Sequence, residues 1–372
     1  MKNNVVLFFL LIALFFCGNA YSQEESGDVQ SNSRFGGAVE FNTFYNDNVF
    51  SFSPSDLTTF SNLEKEIAIA STQRKKRLLT EKFSTISRTD DAIYMLKMRL
   101  SFSTEFIRQA PTSVRVRAAT SLFHHNSVKN YSTFALELRQ TFLRKYFISV
   151  GYATLPDYYL RNLFYKEYFP TTSIHDHYYE VTLNKKSIPV QIGGNILPRL
   201  SLAVGYENEL TCYSEKFAER TSQSHILSLE SDYTLSRTVK IHLNYDYSRA
   251  IADGRDNPDT NIVDISNYAH RVNVGTTIEL KRLLKIPLQW NFDLVYEPQI
   301  FTSEKKLDKY HIGRKDNFTK VFTELEYNVL RNFKLSFNYI WEQNSTNLPE
   351  TSDAGSYQTH QVGIGIEYSF RF

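Results

Sequence analysis

The residues with the most evident chemistry are charged side chains at every second position of apolar segments. Lys97 and Arg99 alternate with Leu96, Met98 and Leu100; Arg115 and Arg117 alternate with Val114 and Val116; Arg139 follows Leu138. Farther along the chain the charges at such positions are mostly acidic: Glu207, Glu230, Asp246, Glu279, Asp293 and Glu324. If each segment is a strand, its charges share one face, and a basic cluster confronts an acidic wall. Two uses follow. Separated charges across a closed ring set up a field that orients polar solutes. Alternatively, Arg–Glu pairs neutralise each other and fill the interior.

Other constellations are weaker. Asp47, Asn48, Asp90 and Asp91 would meet if the segments around 34–45 and 94–106 pair as a hairpin, and four side-chain oxygens suit Ca²⁺; Asn and Asp are also ordinary turn residues. Asp253, Asp256 and Asp259 fall short of calcium-loop spacing. His124, His125, His175 and His177 lack a third ligand in sequence. No G-x-S-x-G, H-E-x-x-H or Gly-rich phosphate loop occurs, so no cofactor other than Ca²⁺ is expected, and no enzyme.

The elements that carry these charges must have period two. In 94–106, Tyr94, Leu96, Met98, Leu100, Phe102, Thr104 and Phe106 lie on one face and Met95, Lys97, Arg99, Ser101, Ser103 and Glu105 on the other. The alternation predicts fourteen strands near 34–45, 94–106, 113–123, 132–143, 146–155, 177–192, 199–212, 224–234, 238–249, 267–281, 286–300, 318–329, 333–343 and 359–372. Six connections are short and seven are long. A weak repeat (LRKYFISVGY, LPRLSLAVGY, LRNFKLSFNY) marks short turns, each opening a strand that ends in Tyr.

Strands of about ten residues, an even strand number and short turns opposite long loops predict an all-β fold: a transmembrane antiparallel meander β-barrel with periplasmic turns and extracellular loops. Closure is needed because an open edge in lipid leaves backbone groups unpaired. Composition agrees. The 372 residues hold 28 Phe and 24 Tyr, with mean hydropathy slightly negative. The near balance of 42 basic and 40 acidic residues argues against nucleic acid. Tyr45, Tyr152, Tyr206, Tyr245, Tyr247, Tyr339 and Trp341 fall near the loop ends of strands and read as an aromatic girdle.

Residues 1–22 read as a secretory signal: Lys2, an apolar stretch from Val5 to Phe16, and small residues Ala20 and Ser22 before a cut at Gln23. A rival makes Cys17 a lipid acceptor, although Phe16 precedes it. Residues 23–33 form a periplasmic segment and 34–372 the barrel. The first long loop, 46–93, has a helical apolar face of Leu57, Phe60, Leu63, Ile67 and Ala70, with Ser55 as N-cap, then the basic run 74–77; it is expected to be a plug in the lumen or a lid above it, and the run is a candidate contact for lipopolysaccharide.

Two resemblances add to this. The last segment, with Tyr368, Phe370 and terminal Phe372 on one face, resembles the final strand of bacterial outer-membrane barrels, which implies recognition by the barrel-assembly machinery. The stretch Tyr45-Asn46-Asp47-Asn48-Val49-Phe50, then Ser53, Asp56, Leu57 and Phe60, and Thr89-Asp90-Asp91, resembles uncharacterised outer-membrane barrels linked to exopolysaccharide operons; Asn46 stands where those more often have Asp. The expected function is a passive or gated channel for polar or charged solutes, including oligosaccharide or polysaccharide. The competing expectations are a structural or adhesive barrel whose loops bind partners, and an enzyme at the barrel rim. Outer-membrane lipid and lipopolysaccharide are expected partners; the oligomeric state is left open.

Overall fold

The structure, a computed structural model, describes residues 34–107, 110–168, 174–257, 263–281, 285–308, 310–348 and 355–372. The expected leader, the 23–33 segment, Asp259 and the side chain of His175 lie outside the described residues.

Fourteen strands form one closed antiparallel barrel, each paired with its neighbours in sequence. They are β1 (Arg34–Asn46), β2 (Asp91–Ile107), β3 (Ala110–Phe123), β4 (Tyr131–Phe142), β5 (Tyr146–Tyr168), β6 (Ile174–Leu197), β7 (Leu200–Tyr213), β8 (Ser222–Thr234), β9 (Val239–Ala252), β10 (Asn267–Glu279), β11 (Leu288–Phe301), β12 (Lys315–Leu330), β13 (Phe333–Thr346) and β14 (Tyr357–Arg371). Closure joins β1 to β14 from Gly36 opposite Arg371 to Asn46 opposite Gln361. One further backbone pair beyond the strand joins Phe35 to Phe372.

The polarity is inverted relative to a soluble protein. Leu136, Ile148, Val204, Leu229, Leu243, Leu294, Phe337 and Ile364 all face outward, and Ile364 is 65% exposed. Large apolar side chains exposed on every wall make a surface that suits a lipid solvent. The inward positions carry Ser, Asn, Gly and charged residues.

The outward Tyr residues form a regular belt at the loop end. Five of them bond a polar side chain on the next strand, two residues loopward of the cross-strand neighbour. Tyr206 meets His225 Nδ1 at 2.7 Å, Tyr245 meets His270 Nδ1 at 2.8 Å and Tyr339 meets His360 Nδ1 at 2.9 Å. Tyr45 donates to Asp90 at 2.9 Å and Tyr296 to Asn317 at 3.2 Å. The diagonal is the same in all five because the pairing is: Tyr206 faces Leu227, Tyr245 faces Val272, and Tyr339 faces Val362. The ring stays against the apolar wall while its hydroxyl is satisfied.

The β5–β6 hairpin extends well beyond the segments the alternation predicted. The period-two pattern stops near 155 and resumes near 177, yet β5 and β6 run unbroken to Tyr168 and from Ile174. Bulges between Leu155 and Tyr158 and between Tyr159 and Arg161 shift the phase and hide the strand from a period-two reading. Asp157 takes the left-handed conformation there, with φ 47°, and its N–H donates to Asn184 Oδ1 at 2.9 Å. Asp is among the few side chains that tolerate this region. Beyond the bulges the hairpin buries Leu163 and Val181 against Phe217 from the 3₁₀ turn Glu215–Arg220.

The first long loop folds as three helices: α1 (Pro54–Ser61), α2 (Leu63–Ile69) and α3 (Gln73–Phe83). The N-cap is Ser53, not Ser55; its Oγ accepts from Asp56 N at 3.1 Å, and Pro54 occupies the first turn, where it lacks only a hydrogen that has no partner anyway. The apolar face read as one helix is broken at Asn62, which caps α1 and opens α2.

Candidate functional site

At the loop-side end of the barrel the helical segment packs against the β5–β6 hairpin. Phe50, Phe52, Phe83 and Ile86 form a buried cluster with Tyr159 of β5. The α3 helix is fastened to the β5–β6 hairpin through Glu81. Its carboxylate meets His177 Nδ1 at 2.9 Å and accepts from Tyr178 N at 3.0 Å. Asn162 donates to the Glu81 carbonyl at 2.8 Å, and Tyr159 and Thr85 share a hydrogen bond at 2.7 Å. Of the basic run, Arg74 pairs with the buried Asp176 and Arg77 donates to its carbonyl, so two of the four bases serve this junction. At the start of the loop, beside β1, Asn48 donates to the carbonyl of Gln358 on β14 at 3.2 Å.

Against Phe50 lies Lys129, at the end of the 3₁₀ turn Ser127–Lys129. It is 5% exposed, and its Nζ sits 5.2 Å from the ring centroids of both Phe50 and Tyr158. The Leu160 carbonyl accepts from it at 3.3 Å. Burial, with Arg161 nearby, pulls its pKa down to about 7. Nothing in the sequence signalled this residue: a Lys after a His-Asn-Ser turn reads as solvated.

The basic cluster lies together on the lumen face of β2, β3 and β4. Arg99 stands directly opposite Arg117, and Arg115 directly opposite Glu137. Lys97 Nζ donates to Glu40 at 2.8 Å, and Arg99 pairs with Glu367 and Glu40. A single carboxylate, Glu137, serves three arginines: Arg117 at 2.9 Å, Arg139 at 3.4 Å and Arg115 at 3.5 Å.

The acidic residues line the other walls. Asp293 meets His242 at 2.5 Å, and Glu324 accepts from Asn291 at 3.0 Å beside Glu326. Among the described residues Glu207, Glu230, Asp246 and Glu279 make no ion pair within 4.0 Å. Glu230 on β8 interacts electrostatically with Arg139 on β4, so the two clusters face each other across the interior. Two cavities lie in this space. One of about 510 Å³ near the loop end has balanced walls: Lys185 with Glu209 at 2.9 Å, Arg271 with Glu297 at 3.8 Å, and Arg314 held by Asp316 at 2.6 Å just behind. Another of about 460 Å³ lies between the Lys97–Glu40 pair and Glu324.

The four oxygen-bearing residues considered for Ca²⁺ have other partners. Asp91 is buried and accepts from the backbone N–H of His125 and Asn126, at 3.0 and 2.8 Å. Asp90 is bound by Arg88 and Tyr45, whose charge and hydrogen bonds hold its carboxyl below the usual range. Asp47 accepts from His360 N, and Asn48 bridges Phe52 and Gln358. Among the described residues no group of three or more His, Cys, Asp or Glu is arranged to hold a metal ion. At the closing strand, Tyr368 and Phe372 are exposed on the outer face, and Phe370 lies 6.1 Å from Phe35.

No family model matches the sequence, and no curated relative matches it. Solved outer-membrane proteins share the barrel. OmpT of Vibrio cholerae, folded in vitro, is 10% identical, covering 94% of this chain and 100% of that one, with a TM-score of 0.47. The outer membrane channel DcaP of Acinetobacter baumannii is 13% identical over 93% of this chain and 100% of that one, TM-score 0.46. An anion-selective porin from Comamonas acidovorans is 11% identical over 92% and 100%, TM-score 0.42. At these values the likeness concerns the fold alone.

Proposed function

We propose that this chain is an integral protein of the bacterial outer membrane that forms a channel for polar or charged solutes, gated by the helical segment at its loop end. The observation that carries the reading is the inverted polarity of a closed barrel: an apolar outer wall on every strand around an inner wall of charges, amides and hydroxyls. Fourteen strands leave room for water, since about eight already fill with side chains. Inner charges without an ion pair among the described residues, such as Glu207, Glu230, Asp246 and Glu279, favour a hydrated interior and offer solutes fixed partners. The Tyr–His belt marks the level of the headgroups, where lipopolysaccharide would be the neighbour. Tyr368, Phe370 and Phe372 are the proposed signal for the assembly machinery. Saccharide is the proposed solute class for the balanced cavity near the loop end, because hydroxyls both donate and accept. The proposed activity is passage, with no catalysis.

The test is conductance of the folded chain in a planar bilayer, with and without residues 50–88. Steady conductance that rises on deletion supports a gated channel. A heat-modifiable, folded barrel that conducts in neither form defeats it and moves the weight to partner binding by the loops.

A further inference from the structure

At the short-turn end of the barrel the interior is not balanced. A cavity of about 520 Å³ is lined by Arg34, Arg99, Arg115, Arg117 and Arg371, and no carboxylate is among its lining residues. Four strands bring them together: β1, β14, β2 and β3. Register explains the convergence. Gly36 faces Arg371 on one side and Ser101 on the other, and Ser101 faces Arg115. Arg34 lies two residues before Gly36 on the same face. Small side chains at Gly36 and Ser101 leave the space that the arginines surround.

The carboxylates within reach are too few. Glu137 is shared among Arg115, Arg117 and Arg139, and Glu367 and Glu40 among Arg99, Lys97 and Lys334. Arg34 and Arg371 are exposed and have no ion pair or side-chain hydrogen bond among the described residues. Arg99 and Arg117 also sit directly across from each other, an arrangement that costs stability. A wall serving only to fill or neutralise the lumen would place an acid there. Guanidinium groups present a planar fork that matches the two oxygens of a carboxylate or phosphate, and several forks facing one space match several such groups.

We infer that this basket is a binding site for a polyanionic solute, one carrying two or more phosphate or carboxylate groups, entered from the short-turn end. Access through water rests on the channel reading; the site itself does not require passage. Arg34 and Arg371, without an ion pair among the described residues, meet the solute first, and Arg99, Arg115 and Arg117 hold it deeper.

The test uses the folded full-length barrel and two probes of three anionic units each, tripolyphosphate and trigalacturonate. Binding is measured by calorimetry in detergent, and block of current is measured with the probe added to either side of a bilayer. Arg34→Gln with Arg371→Gln is the informative variant, since both residues are exposed and outside the paired network. Saturable binding of at least one probe, stronger block from the short-turn side, and at least tenfold weaker binding in the double variant are expected. The tighter probe tells phosphate from carboxylate. A conducting barrel that binds neither probe overturns the inference, as does binding that the double variant leaves unchanged. Arginine-dependent binding by a barrel that does not conduct upholds the site and defeats the channel reading alone.

Discussion

The sharpest consequence of the proposed cover concerns Lys129. Its pKa falls from 10.5 to about 7 while the cover is in place, because the ammonium loses water. At about 1.4 kcal/mol per pH unit this corresponds to about 5 kcal/mol between its two protonation states. Two flanking rings at 5.2 Å favour the charged form, each by roughly 0.5–2 kcal/mol, so about 1–4 kcal/mol remains. The sign follows from proton counts. Between pH 7 and 10.5 an open mouth, with Lys129 in water, binds more protons than the closed one. Closure is therefore favoured as pH rises through that window and weakest at pH 7 and below. With about 4 kcal/mol remaining the closed population should gain about twentyfold from pH 7 to 9, and proportionately less where the rings offset more. The assay is hydrogen exchange of segment 48–60, comparing the protein with Lys129→Met at each pH, so that the intrinsic base catalysis of exchange cancels. Met keeps the stem and removes the charge. The reasoning is refuted if the ratio of protection factors is flat from pH 7 to 9.5.

Three further outcomes are expected. Glu81→Gln keeps the shape but removes the charge facing His177 and the Tyr178 N–H; α3 should loosen from the hairpin by about 1–3 kcal/mol, read as faster exchange in 73–83 with the barrel amides unchanged. Tyr339→Phe removes one hydroxyl of the belt and leaves His360 its bond to Gln358; stability in lipid should fall by about 0.5–1.5 kcal/mol in urea titrations, and Tyr245→Phe should match it because the geometry repeats. Deleting Phe372 removes the last backbone pair of the closure, with Phe35; the fraction of heat-modifiable barrel after refolding should fall, and export into the outer membrane should fall further if the terminal aromatic is also read by the assembly machinery.

The barrel was legible in the residues because period two is a local property: whether Leu100 and Phe102 share a face depends only on strand geometry, and fourteen such segments separated by alternating short and long connections leave few topologies. The placement of the charges on the inner face came from the same alternation, and Lys97, Arg99, Arg115, Arg117 and Arg139 do share it. The structure alone decided what each charge meets. Glu137 serving three arginines, and Arg34 joining Arg371 from the far end of the chain, are matters of register and closure, and register is set by pairing rather than by either strand's composition. Bulges at Leu155–Arg161 erased the periodicity that would have revealed the long hairpin. Lys129 became unusual only when a loop some eighty positions earlier, at Phe50, folded over it, since burial is a property of the assembled molecule and cannot be read from a residue's neighbours in sequence.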